Sequence, residues 1–337
     1  MHLPATKHDP MGGSMTCAWP WSRPVLAALV LLSASLPGVA RPRPCPPSPQ
    51  TITRMTPEVW LIAGQAGDSD ADNHGRISNL LAVRDGRRLW LLGSGPDADT
   101  ARALDCQLAR LTGRRVSDVI APWPRPELVL GQTGLPRARH WAHEAVADAM
   151  ARRCPQCIER LAQRLGRPAP STREPPVPER RLQGRSGRLG PWRWWRLQRA
   201  DDTAVTVWVL PRQGVAAAHG LLWSDGAPDL RDAHIGSMRQ SLQALQALAA
   251  PPGRVQRWLP EQGEPLGPEG PALHLAYLDE LERQADQAME DGSRESDMPP
   301  PPSDPRFAAG PRHALNWQHA WREAEARWFA ASPTPGR

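Results

Sequence analysis

An α/β fold, in the α+β sense of two sheets faced by helices, is predicted by three observations. Short apolar runs give way to helical periodicity twice along the chain, on either side of a proline-rich stretch at residues 166–179. The hydrophobic fraction of 40% beside 23% charged residues is that of folded domains, which excludes wholesale disorder. The 39 prolines and 27 glycines among 337 residues then imply long irregular connections, and the length suits one large domain with tails or two small ones.

Between Glu58 and Trp90 the runs VWLIAG, ISNLLAV and RRLWLLG are separated by Gly/Asp/Asn-rich turns, the pattern of a β-meander. Ala101, Leu104, Leu108 and Leu111 then recur at helical spacing, with Asp97 or Asp99 as the cap and Gly113 as the stop. VSDVIAP reads as a strand ending in a proline-broken loop. A second helix is predicted from His143 to Leu165, kinked or restarted at Pro155. Beyond the linker, RWWRLQR, AVTVWVLP and GVAAAHGLLW read as strands. Ile235, Met238, Leu242, Leu245 and Ala249 form a helix face, RVQRWLP is a last short strand, and Leu273, Ala276, Tyr277, Leu281 and Ala285 mark another helix. Residues 291–306 read as a mobile or polyproline linker. Residues 307–337 are a helical tail, with Leu315, Trp321 and Trp328 expected to dock.

PVLAALVLLSASLPGV, Pro24 to Val39, follows Arg23 and ends on small residues, Gly38 within it and Ala40 just after it, which predicts a signal peptide over 1–40 cleaved near Ala40. The run is short for a spanning helix and is broken by Pro37, so an uncleaved anchor ranks second; Met11 and Met15 are alternative starts. Removing residues 1–40 takes out Lys7, Asp9 and Arg23, and the net charge falls from +6 to +5. The mature chain is a periplasmic or secreted protein with a 41–57 extension, and it meets the membrane only through its leader. Lys7 is the only lysine, which excludes Schiff-base and phosphate-loop lysine chemistry. Cys45, Cys106, Cys154 and Cys157 remain, allowing up to two disulfides in three connectivities. Cys154-Pro155-Gln156-Cys157 reads as a redox pair or a structural bridge; the bridge is favoured because no thioredoxin-like strand leads into it.

The order of EVWLIAG, NHGRISNLLAV, LWLLGSGP, VSDVIAPWPRPELVLGQ, WVLPRQGVAAAHGLLW and VQRWLPEQGEP, over residues 58–290, resembles the metallo-β-lactamase superfamily. That resemblance implies a four-layer αββα sandwich. CPQC after AHEAV, and HALNWQHAWREAE near the end, resemble the exported zinc metallohydrolases of quinoprotein relay systems. A dinuclear zinc centre on a His-x-His-x-Asp-His loop is what the family implies. In this chain the matching loop reads Trp123-Pro124-Arg125-Pro126-Glu127-Leu128, and only Glu127 keeps a carboxylate. The other ligand positions fall near Ala200, Gly220, Gln262 and Gly93, with Asp201 and His219 beside two of them. Two unit charges about 4 Å apart interact by about 4 kcal/mol at an effective dielectric near 20, so a dication facing Arg125 meets roughly twice that repulsion. No zinc or other cofactor is therefore predicted.

His143 reads as a helix-start packing or hydrogen-bonding residue, His74 as a solvated turn residue, and His140 with His143 as a weak metal pair. Arg185 to Arg199 interleaves arginine with tryptophan, as single-strand binders do, but a strand with indoles inward and arginine stems stacked over them explains it in an exported chain. No nucleic acid partner is expected. No serine-nucleophile elbow, phosphate loop or dinucleotide fingerprint is present.

The expected function is a non-catalytic binding or partner protein, a pseudoenzyme linked to a periplasmic quinoprotein dehydrogenase component. Trp123, Arg125, Glu127, His143 and Gln262 line its ligand cleft. The enzyme alternative is a zinc hydrolase with a rearranged or mononuclear site using Glu127, His219 and Asp225 or His143. A third is a thiol–disulfide protein on Cys154 and Cys157.

Overall fold

Two sheets carry the fold, and the alternation within their central strands explains why they stack. The computed structural model describes residues 44–47, 50–168, 175–250 and 254–331, so the leader, its cleavage point, residues 169–174 of the linker and the last six residues lie outside the described residues. One sheet is β1 (Ile52–Thr56), β2 (Val59–Ile62), β3 (Leu80–Asp85), β4 (Arg88–Leu92), β5 (Asp118–Ala121), β6 (Arg139–His143) and β7 (Arg180–Leu182), in that order. The second is β8 (Ser186–Leu189), β9 (Trp192–Ala200), β10 (Thr203–Leu210), β11 (Val215–Ala217) and β12 (Arg257–Leu259), each beside its sequence neighbour. The helices are α1 (Ala98–Thr112), α2 (Pro126–Val129), α3 (Glu144–Arg164), α4 (Ile235–Ala249), α5 (Gly270–Glu290) and α6 (Arg312–Ala331).

Side chains alternate between the faces of a strand. Val59 and Leu61 of β2, Leu81 and Val83 of β3, and Trp90 and Leu92 of β4 meet Trp192, Trp194, Trp208 and Leu210 in one cluster between the sheets. The intervening Trp60, Ile62, Leu80, Ala82, Val205 and Val207 join the second cluster, which contains the helix residues Leu104, Met150 and Leu242. Both faces of these strands are thus covered, which is why they read as continuous apolar runs. Trp192 and Trp208 pack edge to face with centroids 6.0 Å apart.

The meander is as the turns predict: β2, β3 and β4 pair antiparallel, and the sheet then continues in parallel pairs to β7. Asp97 accepts from the Thr100 amide at 2.8 Å to cap α1, which stops at Gly113 in the left-handed region. Gly190, at φ 55°, joins β8 to β9 directly over Trp90; a Cβ there would sit 2.3 Å from the indole. Gly190→Ala is expected to cost about 1–3 kcal/mol through overpacking and backbone strain, read as a lowered urea midpoint at unchanged slope.

Several expectations need correction. Residues 52–56, assigned to an extension, form β1 and pair with β2. The helix expected from His143 begins one residue later, and α3 runs through Pro155 without restarting, its face of Met150, Cys154, Ile158 and Leu161 buried along the whole length. Cys45 and Cys106 form a disulfide that ties the entering chain to α1, but Cys154 and Cys157 are free thiols and not a bridge. Side chains three apart on a helix hold their Cβ atoms about 5–6 Å apart, wider than the roughly 3.8 Å of a disulfide. On α6 it is Trp317, Ala320, Trp321 and Ala324 that dock, whereas Leu315, on the opposite side of the helix, and Trp328, on the same stripe but in the last turn, are exposed. Among the described residues no helix is long and apolar enough to cross a membrane.

Candidate functional site

The loop leaving β5 turns inward, and α2 starts at once with proline in its first turn. Trp123, Arg125 and Glu127 are all buried there. Arg125 is the centre. Its Nε lies 3.3 Å from Glu127 Oε2 and 3.8 Å from Glu261 Oε1, and its Nη1 lies 3.6 Å from Asp229 Oδ2. At an effective dielectric near 20 each contact contributes about 4 kcal/mol of attraction, set against several kcal/mol of desolvation per ion. Burial opposes the Arg125 charge, but Glu127, Glu261 and Asp229 outweigh it and hold the guanidinium above its ordinary titration range.

Each carboxylate has further donors. Ser69 Oγ donates to Glu127 Oε1 at 2.7 Å. Ser78 Oγ donates to Glu261 Oε1 at 2.6 Å, and Trp123 Nε1 and the Gly220 amide donate to Glu261 Oε2 at 3.0 and 3.2 Å. Asp229 resists the effect of burial through a forked bond from Arg231, whose Nε and Nη2 donate at 2.9 and 2.6 Å, aided by Arg125; its carboxyl titrates well below the usual range.

A second cation completes the cluster. Arg199, at the end of β9, is 1% exposed, lies 4.6 Å from the Trp123 ring centroid and 5.6 Å from that of Trp223, and donates to the Gly220 and Asp229 carbonyls. Burial pulls its pKa down to about 10 despite Asp229. Gln262 lies alongside, donating to the Gly67 carbonyl at 3.2 Å and accepting from Arg312 of α6. Arg312 also binds the Asp225 carbonyl at 3.2 Å and pairs with Asp68, which fastens the tail to the cluster.

The histidines are placed differently from what a hydrolase would need. His219 is buried beside Glu261; its Nε2 donates to the Asn79 carbonyl at 2.7 Å, which leaves Nδ1 as a buried lone pair without a partner. Burial keeps that ring neutral. His143 spends both nitrogens elsewhere: Nδ1 accepts from the Ala145 amide to cap α3, and Nε2 donates to the Gly184 carbonyl at 2.8 Å. His140 likewise bonds Gln132 and Leu135. Both histidines belong to β6, where residues three apart face opposite sides, so the suggested His140–His143 metal pair does not form.

Sequence reasoning placed Trp123, Arg125, Glu127 and Gln262, which the fold brings together. It missed Arg199, Asp229, Glu261 and Arg312. Glu261 had one signal, a carboxylate directly after the strand RWLP and before Gln262. Arg199 had none beyond ending an Arg/Trp strand.

Known structures share this arrangement of sheets and helices. The metallo-β-lactamase FIM-1 from Pseudomonas aeruginosa, in its mono-zinc form, has 18% identity and a TM-score of 0.54, covering 69% of this chain and 96% of its own. The metallo-β-lactamase from Erythrobacter litoralis, with β-mercaptoethanol in its active site, has 16% identity and a TM-score of 0.52 over 68% and 96%. That from Hirschia baltica has 14% identity and a TM-score of 0.52 over 68% and 98%. The chain has the metallo-β-lactamase fold. No protein-family model matches it, and no curated protein does.

Zinc is the ion that the fold implies, and the donor set here does not fit it. Glu127, Asp229 and Glu261 converge on a guanidinium, a second buried arginine stands behind, and among the described residues His219 Nδ1 is the one buried histidine nitrogen without a partner. Among the described residues no group of three or more His, Cys, Asp or Glu side chains is arranged to hold a metal ion.

Proposed function

We propose that this chain is a non-catalytic binding protein of the cell envelope, built on the metallo-β-lactamase fold, which takes an anionic group at the mouth of the cleft. The observation that carries the proposal is Arg125, buried among three carboxylates on the loop where the resemblance expects zinc ligands. Its charge is permanent at any relevant pH, so it repels a dication and holds the acids that would otherwise bind one. The cleft beyond it, about 180 Å³, carries Arg160, Arg164 and Arg231 at its rim, and four arginines line it against three carboxylates. Arg231 is committed to Asp229, which leaves Arg160 and Arg164 to face an incoming anion. Export rests on the leader-like segment and the Cys45–Cys106 disulfide. A periplasmic quinoprotein dehydrogenase component as partner rests on the CPQC and HALNWQHAWREAE resemblances.

The test is metal analysis of the mature protein purified without chelator, run beside hydrolysis of ester, lactone and β-lactam substrates. The expected result is zinc far below stoichiometric and no chelator-sensitive turnover. Near-stoichiometric zinc with turnover that EDTA abolishes overturns the proposal.

One observation favours a second reading, a metal-dependent hydrolase with a mononuclear site: the buried, unpartnered Nδ1 of His219 beside Glu261. That reading needs Arg125 to leave the carboxylates, and it predicts that Glu127→Gln and His219→Ala each abolish hydrolysis.

A further inference from the structure

We propose that Cys154 and Cys157 form a thiol–disulfide exchange site at the mouth of the cleft, Cys157 attacking, Cys154 resolving, with small anionic disulfides as its substrates. The proposal stands on the face of α3 and does not depend on whether the cleft binds metal.

The two cysteines are three residues apart on one helix face, and the helix sets them at different depths. Cys154 is fully buried in the core cluster, whereas Cys157 is half-buried and lines the cleft. Arg160 and Arg164 follow Cys157 at intervals of three and four on the same face. Arg160 Nη2 lies 3.8 Å from Cys157 Sγ. The neighbouring Cys154 thiol, with help from Arg160 and against burial and the Glu127 charge, holds the Cys157 pKa below the ordinary thiol range, while Cys154 is raised by Cys157 and by its burial. The outer sulfur is therefore the thiolate and the inner one the reserve.

The exchange balances without an external cofactor. Cys157 S⁻ attacks one sulfur of a disulfide RS–SR, forming Cys157–S–S–R and expelling RS⁻. With Cys157 no longer anionic, the effect that held the Cys154 proton is gone. The expelled RS⁻ takes that proton, and the Cys154 sulfur attacks Cys157 Sγ and expels the second RS⁻. Two electrons pass from the two thiols to the substrate disulfide. Closing the pair requires the turn to tighten, and Pro155 makes this feasible: lacking an N–H, it gives Ala151 no i→i+4 bond, so this turn starts one hydrogen bond short. Anionic disulfides are favoured because the approach passes Arg160 and Arg164, neither of which has a carboxylate partner among the described residues.

The test uses the full mature chain, reduced and then freed of reductant. Oxidised glutathione is the anionic probe and cystamine the cationic one, with adducts located by peptide mass mapping. The wild type is expected to lose both free thiols to a Cys154–Cys157 bridge, while Cys154→Ser stops at a glutathione adduct on Cys157. Cys157→Ser should react at least about tenfold more slowly, and oxidised glutathione should outpace cystamine by about tenfold at low salt, an advantage that Arg160→Ala and Arg164→Ala together remove. Melting curves confirm that each variant is folded. Stable wild-type adducts without a bridge, attack at Cys154 first, or a preference for cystamine overturns the proposal. Since the readout involves neither zinc nor hydrolysis, its failure leaves the binding proposal standing, and the reverse also holds.

Discussion

Arg125→Met is expected to destabilise the folded chain by about 3–5 kcal/mol at neutral pH, the cost of breaking a buried ion pair from one side. Methionine keeps the apolar stem and removes the charge and the forked donors. Glu127, Asp229 and Glu261 would then face one another, with Ser69, Ser78 and Trp123 still bonded but no cation at the centre. Arg199 is the nearest replacement, yet its two terminal nitrogens are already fixed on the Gly220 and Asp229 carbonyls. Arg125→Lys should recover only part of the loss, because an ammonium cannot reach three carboxylates in the plane of a fork. Urea unfolding of both variants measures this. An Arg125→Met midpoint equal to that of the wild type would mean that the guanidinium is not the counter-charge of the cluster.

Acid should cost about 3 kcal/mol of stability through His274 alone. This histidine is buried in the first turns of α5: Nδ1 donates to the Gly270 carbonyl at 2.8 Å, and Nε2 accepts from the Trp223 amide at 2.9 Å. The ring is therefore neutral in the fold, and burial lowers its pKa to about 4. An unfolded histidine titrates near 6.5, and the gap converts at about 1.4 kcal/mol per pH unit. Since the folded value is the lower one, the stabilisation is complete above about pH 6.5 and is lost as pH falls towards about 4. His219, lowered by burial in the same sense, steepens the slope. Unfolding free energies at intervals between pH 7.5 and 4 would measure the fall, and His274→Gln should flatten it. A flat wild-type profile over that interval would exclude a buried neutral ring.

Much of the fold is legible in local pattern. The runs that became β2, β3, β4 and β10 are apolar on both faces because sheets and helices cover both, and α1 and α4 follow from their spacing. The elements that escaped have no such pattern. β1 and β8 are edge strands with polar, exposed residues, and they become strands because a partner is at hand: β1 lies along β2, and β8 along β9. α3 continues through Pro155, where a local rule predicts a break, because its buried face packs along its whole length.

The site divides in the same way. The amino-acid sequence by itself determined that the loop after β5 carries an indole, a permanent cation and one carboxylate in place of imidazoles, since side-chain chemistry is independent of context. Only the tertiary structure decided what that cation faces. Glu261 meets Trp123 across 138 residues of chain, and Asp229 and Arg199 arrive from two further segments. Coulomb attraction and desolvation depend on separation in space, and no spacing along a chain encodes which distant carboxylates folding will bring within 4 Å of a guanidinium.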